Sequence, residues 1–199
     1  ISGAGPAGLL ASLSFASLGY SVFCVDPKKP VTQSNEDGAD LRTTAFLQPA
    51  KTFMASLGLW EKLEPFAEPM EIMRIIDSAG DNWPPIETTA KDFLASEISD
   101  LPFGWNIPNW LLRRTLLENA MEYSNLELKF GLTTSSIIRR DDAAFVYLND
   151  GSQIKSKLII GADGRDSLVR NKSQIKISKR EFPQKALTFI VTHERPHKN

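Results

Sequence analysis

The stretch "ISGAGPAGLL", residues 1–10, places Gly3, Gly5 and Gly8 in the spacing G-x-G-x-x-G. In this pattern the first glycine permits a tight turn, the second lets a pyrophosphate approach the backbone, and the third lets a helix pack closely on a strand. Ala7 lies in the same turn, and Asp26 ends the next strand-like stretch, 23 positions after Gly3. A carboxylate there can accept both hydroxyls of an adenosine ribose. These residues predict a dinucleotide-binding turn, and a glycine turn made only for packing is the alternative.

The identity of the dinucleotide is left open by this first turn. Asp26 disfavours a 2′-phosphate and therefore NADP, but the spacing does not distinguish NAD from FAD. A second stretch, "LIIGADGRDSLVR" at residues 158–170, places Asp163 and Gly164 after an apolar run. If this second turn lies beside the first, the chain approaches a long dinucleotide twice, which favours FAD. An ordinary Asp-Gly turn after a strand is the alternative.

Hydrophobic periodicity and turn residues predict an α/β chain. Residues 6–19 fit a helix, 21–26 a strand and 27–43 a loop, and a helix is expected over 44–60, where Pro49 either interrupts it or marks its start. Residues 70–108 look β-rich, with a turn at residues 78–81. A 3.6-residue period then predicts a helix over 109–123. Strands are expected at 126–130, 135–140, 144–154 with a hairpin turn at 149–151, and 157–164.

Composition excludes several classes of protein. The 199 residues are 42% hydrophobic and carry a net charge of −1, which indicates a folded core and no nucleic-acid partner. Cys24, the single cysteine, is expected to be a half-buried strand residue, and a reducing compartment is the inference. Residues 1–25 lack charged side chains, but four glycines and a proline punctuate them, so neither a signal peptide nor a membrane span is expected.

The end of the chain after Gly164 is basic, with nine Lys or Arg residues against three acidic ones, a net of +6. A solvated face is the favoured interpretation, and attraction to an anionic membrane or a phosphorylated cosubstrate is the alternative. His193 and His197 lie in this region. Neither is expected to be a catalytic base, and no metal site is expected. Because Ile1 directly precedes the glycine turn, we expect the sequence to be an internal fragment.

Six stretches together resemble one family. They are "GAGPAG" (3–8), "DLRTTAF" (40–46), "LGLWEKLEPFAEPMEIMRIIDSAG" (57–80), "NIPNWLLRRTLL" (106–117), "GADGRDSLVR" (161–170) and "THERPH" (192–197). In this order they resemble the para-hydroxybenzoate-hydroxylase-like FAD-dependent monooxygenases, and they look most similar to the ubiquinone-biosynthesis hydroxylase branch. The resemblance spans essentially the whole chain.

The resemblance implies a Rossmann-like FAD-binding domain interrupted by a β-rich substrate domain, truncated at both ends. Residues 1–67 and 109–176 would belong to the FAD-binding domain, residues 68–108 to the first part of the substrate domain, and residues 177–199 to the start of its returning sheet. The family's third motif, a Gly-Asp near the flavin ribitol that is usually continued by small residues and a histidine, is absent because the sequence stops before it could occur. We therefore expect the 199-residue chain alone to be inactive.

The resemblance also implies FAD as the cofactor and NAD(P)H as a transient cosubstrate. Arg42 matches an arginine near the flavin and its pyrophosphate, with a surface arginine as the alternative. Asn109 matches a polar flavin contact at a helix start, with a simple N-cap as the alternative. The family's second motif, which Asp163 and Gly164 match, would help to hold FAD and is linked to transient binding of the nicotinamide cosubstrate. The candidate cofactor-binding residues are Gly3, Gly5, Ala7, Gly8, Asp26, Arg42, Asn109, Arg113, Asp163 and Gly164, and no catalytic residue is identified.

By resemblance, the reaction is hydroxylation of an aromatic ring with NAD(P)H and O2 through a flavin hydroperoxide, on a phenolic ubiquinone precursor. The implied substrate is a small aromatic molecule of the polyprenylated class. The implied location is the cytoplasm with peripheral contact at the inner membrane, beside other quinone-biosynthesis proteins. The alternatives are another FAD-dependent dehydrogenase, reductase or halogenase on the same scaffold, and a nonenzymatic flavin- or nucleotide-binding module.

Overall fold

The computed structural model describes residues 1–79, 86–188, 191, 192 and 194. The helices are α1 (Pro6–Ser17), α2 (Gln48–Ser56), α3 (Trp60–Leu63), α4 (Asn109–Met121) and α5 (Leu168–Lys172). The strands are β1 (Val22–Asp26), β2 (Thr43–Leu47), β3 (Glu68–Met70), β4 (Ile72–Ala79), β5 (Ile86–Leu94), β6 (Gly104–Pro108), β7 (Leu126–Phe130), β8 (Thr134–Arg139), β9 (Ala144–Leu148) and β10 (Gln153–Ser156).

The chain forms two compact units. One contains Ile1–Leu41 and the segment that begins at Trp110, and the other is built mainly on Arg42–Asn109. The β-rich segment is therefore inserted in sequence between the two parts of the first unit. The predicted domain boundaries stay predictions, because compactness alone does not tell which part would bind cofactor or substrate.

A parallel sheet organises the first unit. β1 pairs in parallel with β7, and Ser2 forms parallel bridges to Val25 on one side and to Gly161 on the other. Ser2 therefore lies between the strand that ends at Asp26 and the segment that leads to the second predicted turn. This parallel sheet with its following helix confirms the predicted α/β class.

Helix α1 packs against β1 and β7. Pro6 stands in its first turn, where a missing N–H costs nothing, and Gly19 follows its end with φ of +83°. Leu9 and Leu13 are almost fully buried. The burial of each side chain stabilises the folded state by roughly 2 kcal/mol. The Asn125 side chain donates to the carbonyl oxygen of Ala16 in the last turn of the helix at 2.9 Å and to that of Tyr20 just after it at 2.8 Å. The glycine turn is thus held at the start of a well-anchored helix.

An antiparallel sheet completes the first unit, with β9 between β8 and β10. The predicted hairpin turn joins β9 to β10, and Gly151 adopts φ of +85° there. Val146 and Leu148 of β9 pack with Val25 in a hydrophobic cluster. This cluster connects the antiparallel sheet to the strand that precedes Asp26.

The second unit has its own sheet, in which β6 pairs antiparallel with both β2 and β3. Trp105 of β6 meets Trp60 edge to face at 5.3 Å between ring centroids, and Lys51 Nζ lies 4.3 Å from the Trp105 centroid. Such aromatic and cation–π contacts fix α2 and α3 near this sheet. β4 and β5 form a separate antiparallel hairpin, whose connection, including part of the predicted turn at 78–81, lies outside the described residues.

Two expectations about secondary structure are wrong. Residues 44–47 form strand rather than helix, because Thr44–Leu47 of β2 pair with β6, and the helix begins only at Gln48. Pro49 therefore marks a helix start. Of the strand expected at 157–164, only Gly161 pairs, through a single bridge to Ser2. The pairing stops there because Ser2 is followed directly by the glycine turn. Residues 177–188 contain no regular element, and the returning sheet predicted for 177–199 stays a prediction.

Candidate functional site

The first glycine turn is shaped by close backbone contacts. Gly3 has φ of +102°, a conformation that side chains disfavour, and a Cβ placed on it would overlap the carbonyl oxygen of Ala162. A Cβ on Gly8 would overlap the carbonyl oxygen of Gly3. Both glycines are therefore required by the packing of the protein itself, as predicted for the first and third positions of the pattern.

Gly5 differs from its two neighbours in the pattern. Its backbone is extended, with φ of −68° and ψ of 177°, and a Cβ there would meet no atom within 4 Å. Nothing in the described part of the chain requires glycine at this position, whereas a ligand lying against the backbone would. No side chain caps the amino end of α1, its first turn has no acidic residue, and Ala7 is exposed there. An anionic pyrophosphate fits this arrangement.

Asp26 is tied to the same turn. Its Oδ2 accepts a hydrogen bond from the Ala4 N–H at 2.7 Å, and its Oδ1 accepts one from the Lys28 N–H at 2.8 Å. A carboxylate oxygen has capacity for more than one donor, so both oxygens can still accept from ligand hydroxyls. Asp26 therefore both fixes the turn and presents an acceptor beside it.

The second predicted turn lies directly beside the first. The Ser2 N–H donates to the Ile160 carbonyl at 2.9 Å, and the Ala162 N–H donates to the Ser2 carbonyl at 2.7 Å. These bonds bring Asp163 and Gly164 next to the glycine turn, and Gly164 has φ of +85°. The geometry matches the expectation of two adjacent turns, and the role of the second turn toward a cofactor stays a prediction.

The Asp163 carboxylate is already engaged by the protein. Its Oδ1 accepts from the Ser167 hydroxyl, and its Oδ2 accepts from the Val169 N–H at 3.0 Å. Burial alone would raise the pKa of Asp163, but these hydrogen bonds outweigh it and hold the pKa below its usual range. The carboxylate is therefore an internal anchor of the turn, whether or not it also contacts a ligand.

Replacing Asp163 with Asn should lower the free energy of unfolding at pH 7 by about 1 kcal/mol. Because its folded pKa lies below the unfolded value, the carboxylate stabilises fully above the unfolded pKa, and this contribution is lost as the pH falls through the folded pKa. The difference between the two proteins should therefore shrink below about pH 4. Urea unfolding of both proteins at several pH values measures this difference in the free energy of unfolding.

The matched control for this experiment is Asp166→Asn, which removes an exposed carboxylate from the same turn. Its free energy of unfolding should stay within about 0.5 kcal/mol of the wild type at pH 7. A difference between wild type and Asp163→Asn that stayed constant down to pH 3 would show that the charge of Asp163 contributes nothing to the turn.

Arg113 lies on α4 and forms an ion pair that the sequence did not reveal. One of its guanidinium nitrogens lies 3.5 Å from Asp40 Oδ2, and the two side chains are 27% and 13% exposed. Its neighbour Arg114 lies over the Trp110 ring instead. The partners are 73 positions apart, so no local sequence pattern indicates the pair. This ion pair connects α4 to the segment that precedes β2.

Arg42 and Asn109 lie in the second unit. The Asn109 N–H donates to the Arg42 carbonyl at 2.9 Å, and Asn109 Oδ1 accepts from the Thr44 hydroxyl at 2.6 Å. Asn109 is 9% exposed, whereas Arg42 is exposed. These contacts hold Asn109 beside the start of β2, and the flavin contacts predicted for Arg42 and Asn109 stay predictions.

Other candidate chemistry is limited in the part of the chain that the structure describes. No group of three His, Cys, Asp or Glu side chains there could hold a metal ion. Burial raises the pKa of the Cys24 thiol, which is almost fully buried in the core. Both His193 and His197 lie outside the described residues. No helix within the described ranges has the length and apolar character needed to cross a bilayer.

Comparison with known proteins gives a family match over nearly the whole chain. Residues 1–197 match the family model described as "FAD binding domain". The ubiquinone hydroxylase UbiL of Rhodospirillum rubrum is 28% identical over 200 aligned positions, covering 100% of this chain and 44% of that protein. The 3-demethoxyubiquinol 3-hydroxylase of Escherichia coli is 24% identical and covers 98% of this chain and 48% of its own length.

A solved structure supports the fold. The flavin-dependent monooxygenase PieE, determined in complex with FAD and substrate, aligns with a TM-score of 0.70 and 22% identity, over 88% of this chain and 31% of that chain. At this identity the likeness describes the fold. The chain spans less than half the length of the two hydroxylases, so it corresponds to part of each of them.

Proposed function

The chain belongs to the FAD binding domain family, and from this premise we propose that it forms the FAD-binding part of an FAD-dependent monooxygenase that hydroxylates an aromatic ring. The observation that carries the FAD assignment is Gly5, where neither the backbone conformation nor packing against the described residues calls for glycine, so we assign its missing side chain to the approach of a pyrophosphate. The names of the two ubiquinone hydroxylases support the assignment to ring hydroxylation.

The residues of the first unit suit the adenosine diphosphate half of FAD. The turn from Gly3 to Gly8 and the amino end of α1 would hold the pyrophosphate by backbone N–H groups, and Asp26 would accept the ribose hydroxyls. Asp163 and Gly164 would support this region from the adjacent turn. Arg42, Asn109 and Arg113 are proposed for the flavin half.

When bound, FAD would supply the redox chemistry, taking electrons from NAD(P)H and using O2 to oxidise the ring. The contribution of this chain is to bind and orient the cofactor. Backbone N–H donors at the amino end of α1 would bind the pyrophosphate and offset part of its negative charge. The carboxylates of Asp26 and Asp163 each accept a backbone hydrogen bond, and these bonds would keep both turns in place around the cofactor.

The substrate and surroundings follow from the same proposal. We propose a phenolic ubiquinone precursor, a small aromatic molecule of the polyprenylated class, because the two relatives are named as a ubiquinone hydroxylase and a 3-demethoxyubiquinol 3-hydroxylase. A polyprenyl chain partitions into lipid, so the enzyme would work in the cytoplasm at the surface of the inner membrane, near other quinone-biosynthesis proteins. The cosubstrate NAD(P)H would bind only transiently.

The flavin content of protein made from the complete reading frame tests the first step. We expect about one FAD per chain after denaturation and identification of the released chromophore. A folded protein that takes up no flavin from excess FAD would overturn the proposal and leave a nucleotide-binding or degenerate scaffold.

Product analysis under isotopically labelled O2 tests the second step. Incubation with NADH or NADPH and a phenolic ubiquinone precursor should give a hydroxylated product that carries one labelled oxygen atom. A desaturated, reduced or halogenated product would assign the chain to another FAD-dependent oxidoreductase. Heat-denatured protein with free FAD is the control for uncatalysed oxidation.

A further inference from the structure

Ser167 joins the second turn to helix α5. Its side chain is 6% exposed, donates a hydrogen bond to Asp163 Oδ1 and accepts one from the Arg170 N–H at 3.0 Å. The second bond is the ordinary N-cap of a helix. The first bond is additional, because it ties the start of the helix back to the turn four residues earlier.

The same turn is held at two further points. The other oxygen of Asp163 accepts from the Val169 N–H at 3.0 Å. The side chain of Val169 also packs on Gly161, where an added Cβ would come within 2.9 Å of the Val169 Cβ. Residues 161–163 are therefore fixed against α5 through one carboxylate and one close side-chain contact.

The fixed segment supports the first glycine turn. The Ala162 carbonyl lies against Gly3, in the space that a side chain on Gly3 would occupy. The Ala162 N–H donates to the Ser2 carbonyl at 2.7 Å, and the Ala162 methyl lies 3.3 Å from the position of a Cβ on Gly8. Gly3 and Gly8 of the first turn therefore both lie against Ala162 of the second turn.

We propose that Ser167 is a positioning residue for the first glycine turn, acting through Asp163 and Ala162 rather than by contact with a ligand. Its hydroxyl fixes the Asp163 carboxylate, the carboxylate fixes residues 161–163, and Ala162 then keeps the first turn in its binding conformation. The part of this inference that concerns affinity for FAD rests on the proposed function.

The test compares Ser167→Ala with Ser173→Ala, which removes a serine hydroxyl from the other end of α5. In the ligand-free protein, amide hydrogen exchange at Ser2 and Ala162 should be about fivefold to tenfold faster in Ser167→Ala, since the hydrogen bond from Ser167 to Asp163, worth about 1 kcal/mol, is lost. The dissociation constant for FAD should rise by a similar factor. Ser173→Ala should match the wild type in both measurements.

Faster exchange confined to Val169 and Arg170, with unchanged affinity for FAD, would show that Ser167 only caps α5 and would overturn the proposal. Ser167→Gly separates the two roles if the alanine variant folds poorly, because glycine is nearly as good an N-cap but has no hydroxyl for Asp163. It should give the same faster exchange at Ser2 and Ala162, and wild-type exchange there would contradict the proposal.

A double-mutant cycle tests the route through Asp163. If Ser167 acts only through this carboxylate, combining Ser167→Ala with Asp163→Ala, which removes the acceptor of the Ser167 hydroxyl, should accelerate exchange at Ala162 no more than Asp163→Ala alone. Fully additive effects would overturn the route. Failure of the wild-type protein to bind FAD would contradict the proposed function, whereas the exchange measurements would still decide the role of Ser167.

Discussion

Replacing Gly8 with alanine is expected to lower the free energy of unfolding by up to about 2 kcal/mol. The new methyl group would overlap the carbonyl oxygen of Gly3, which is backbone and cannot rotate away. Overpacking of this kind costs up to about 3 kcal/mol, and the better helix propensity of alanine returns only about 1 kcal/mol. Thermal and urea unfolding followed by circular dichroism would measure the loss.

The matched control for Gly8→Ala is Gly5→Ala, three residues earlier in the same turn. A Cβ at Gly5 meets open space, so its stability should stay within about 1 kcal/mol of the wild type. If Gly8→Ala unfolded at the same urea concentration as the wild type, the close approach of α1 to the first turn would be contradicted.

Local patterns predicted much of the first unit correctly. The helix expected at 6–19 is Pro6–Ser17, and the strand expected at 21–26 is Val22–Asp26. Proline in a first helical turn and glycine after a last turn act through the backbone of a few neighbouring residues. Such signals can be recognised without knowing the rest of the structure.

Residues 44–47 show where local patterns fail. "TAFL" suits a helix as well as a strand, and the choice is made by its pairing with β6, in which Thr44 lies opposite Ile107. Pairing between segments more than fifty residues apart leaves no mark on the local sequence. Pro49, by contrast, indicated the true helix start, because proline is tolerated in the first turn of a helix.

The candidate site was predictable in its residue types but not in its internal contacts. The glycine spacing and Asp26 indicated the first turn, and the apolar run before Asp163 suggested a second turn beside it. The pairing of Arg113 with Asp40 could not be predicted, since it depends on tertiary structure. Ser167 carried a signal that was missed, because a serine just before "LVRNK" is a typical N-cap.

Replacing Gly5 with alanine is expected to weaken binding of FAD by about 100-fold, which corresponds to roughly 3 kcal/mol. The extended backbone of Gly5 accepts alanine without strain, and its Cβ meets no protein atom. In the proposed complex the same methyl group would occupy the space through which the pyrophosphate approaches the backbone. Quenching of flavin fluorescence during titration of the ligand-free protein would give the dissociation constants.

The two alanine variants should therefore affect different properties of the protein. Gly8→Ala should lose stability, whereas Gly5→Ala should keep its stability and lose the cofactor. An unchanged affinity for FAD in a normally folded Gly5→Ala protein would mean that the pyrophosphate does not lie on this turn. In that case the open space at Gly5 would not be part of a ligand site. The FAD assignment would then have to rest on the second turn and on Arg42, Asn109 and Arg113.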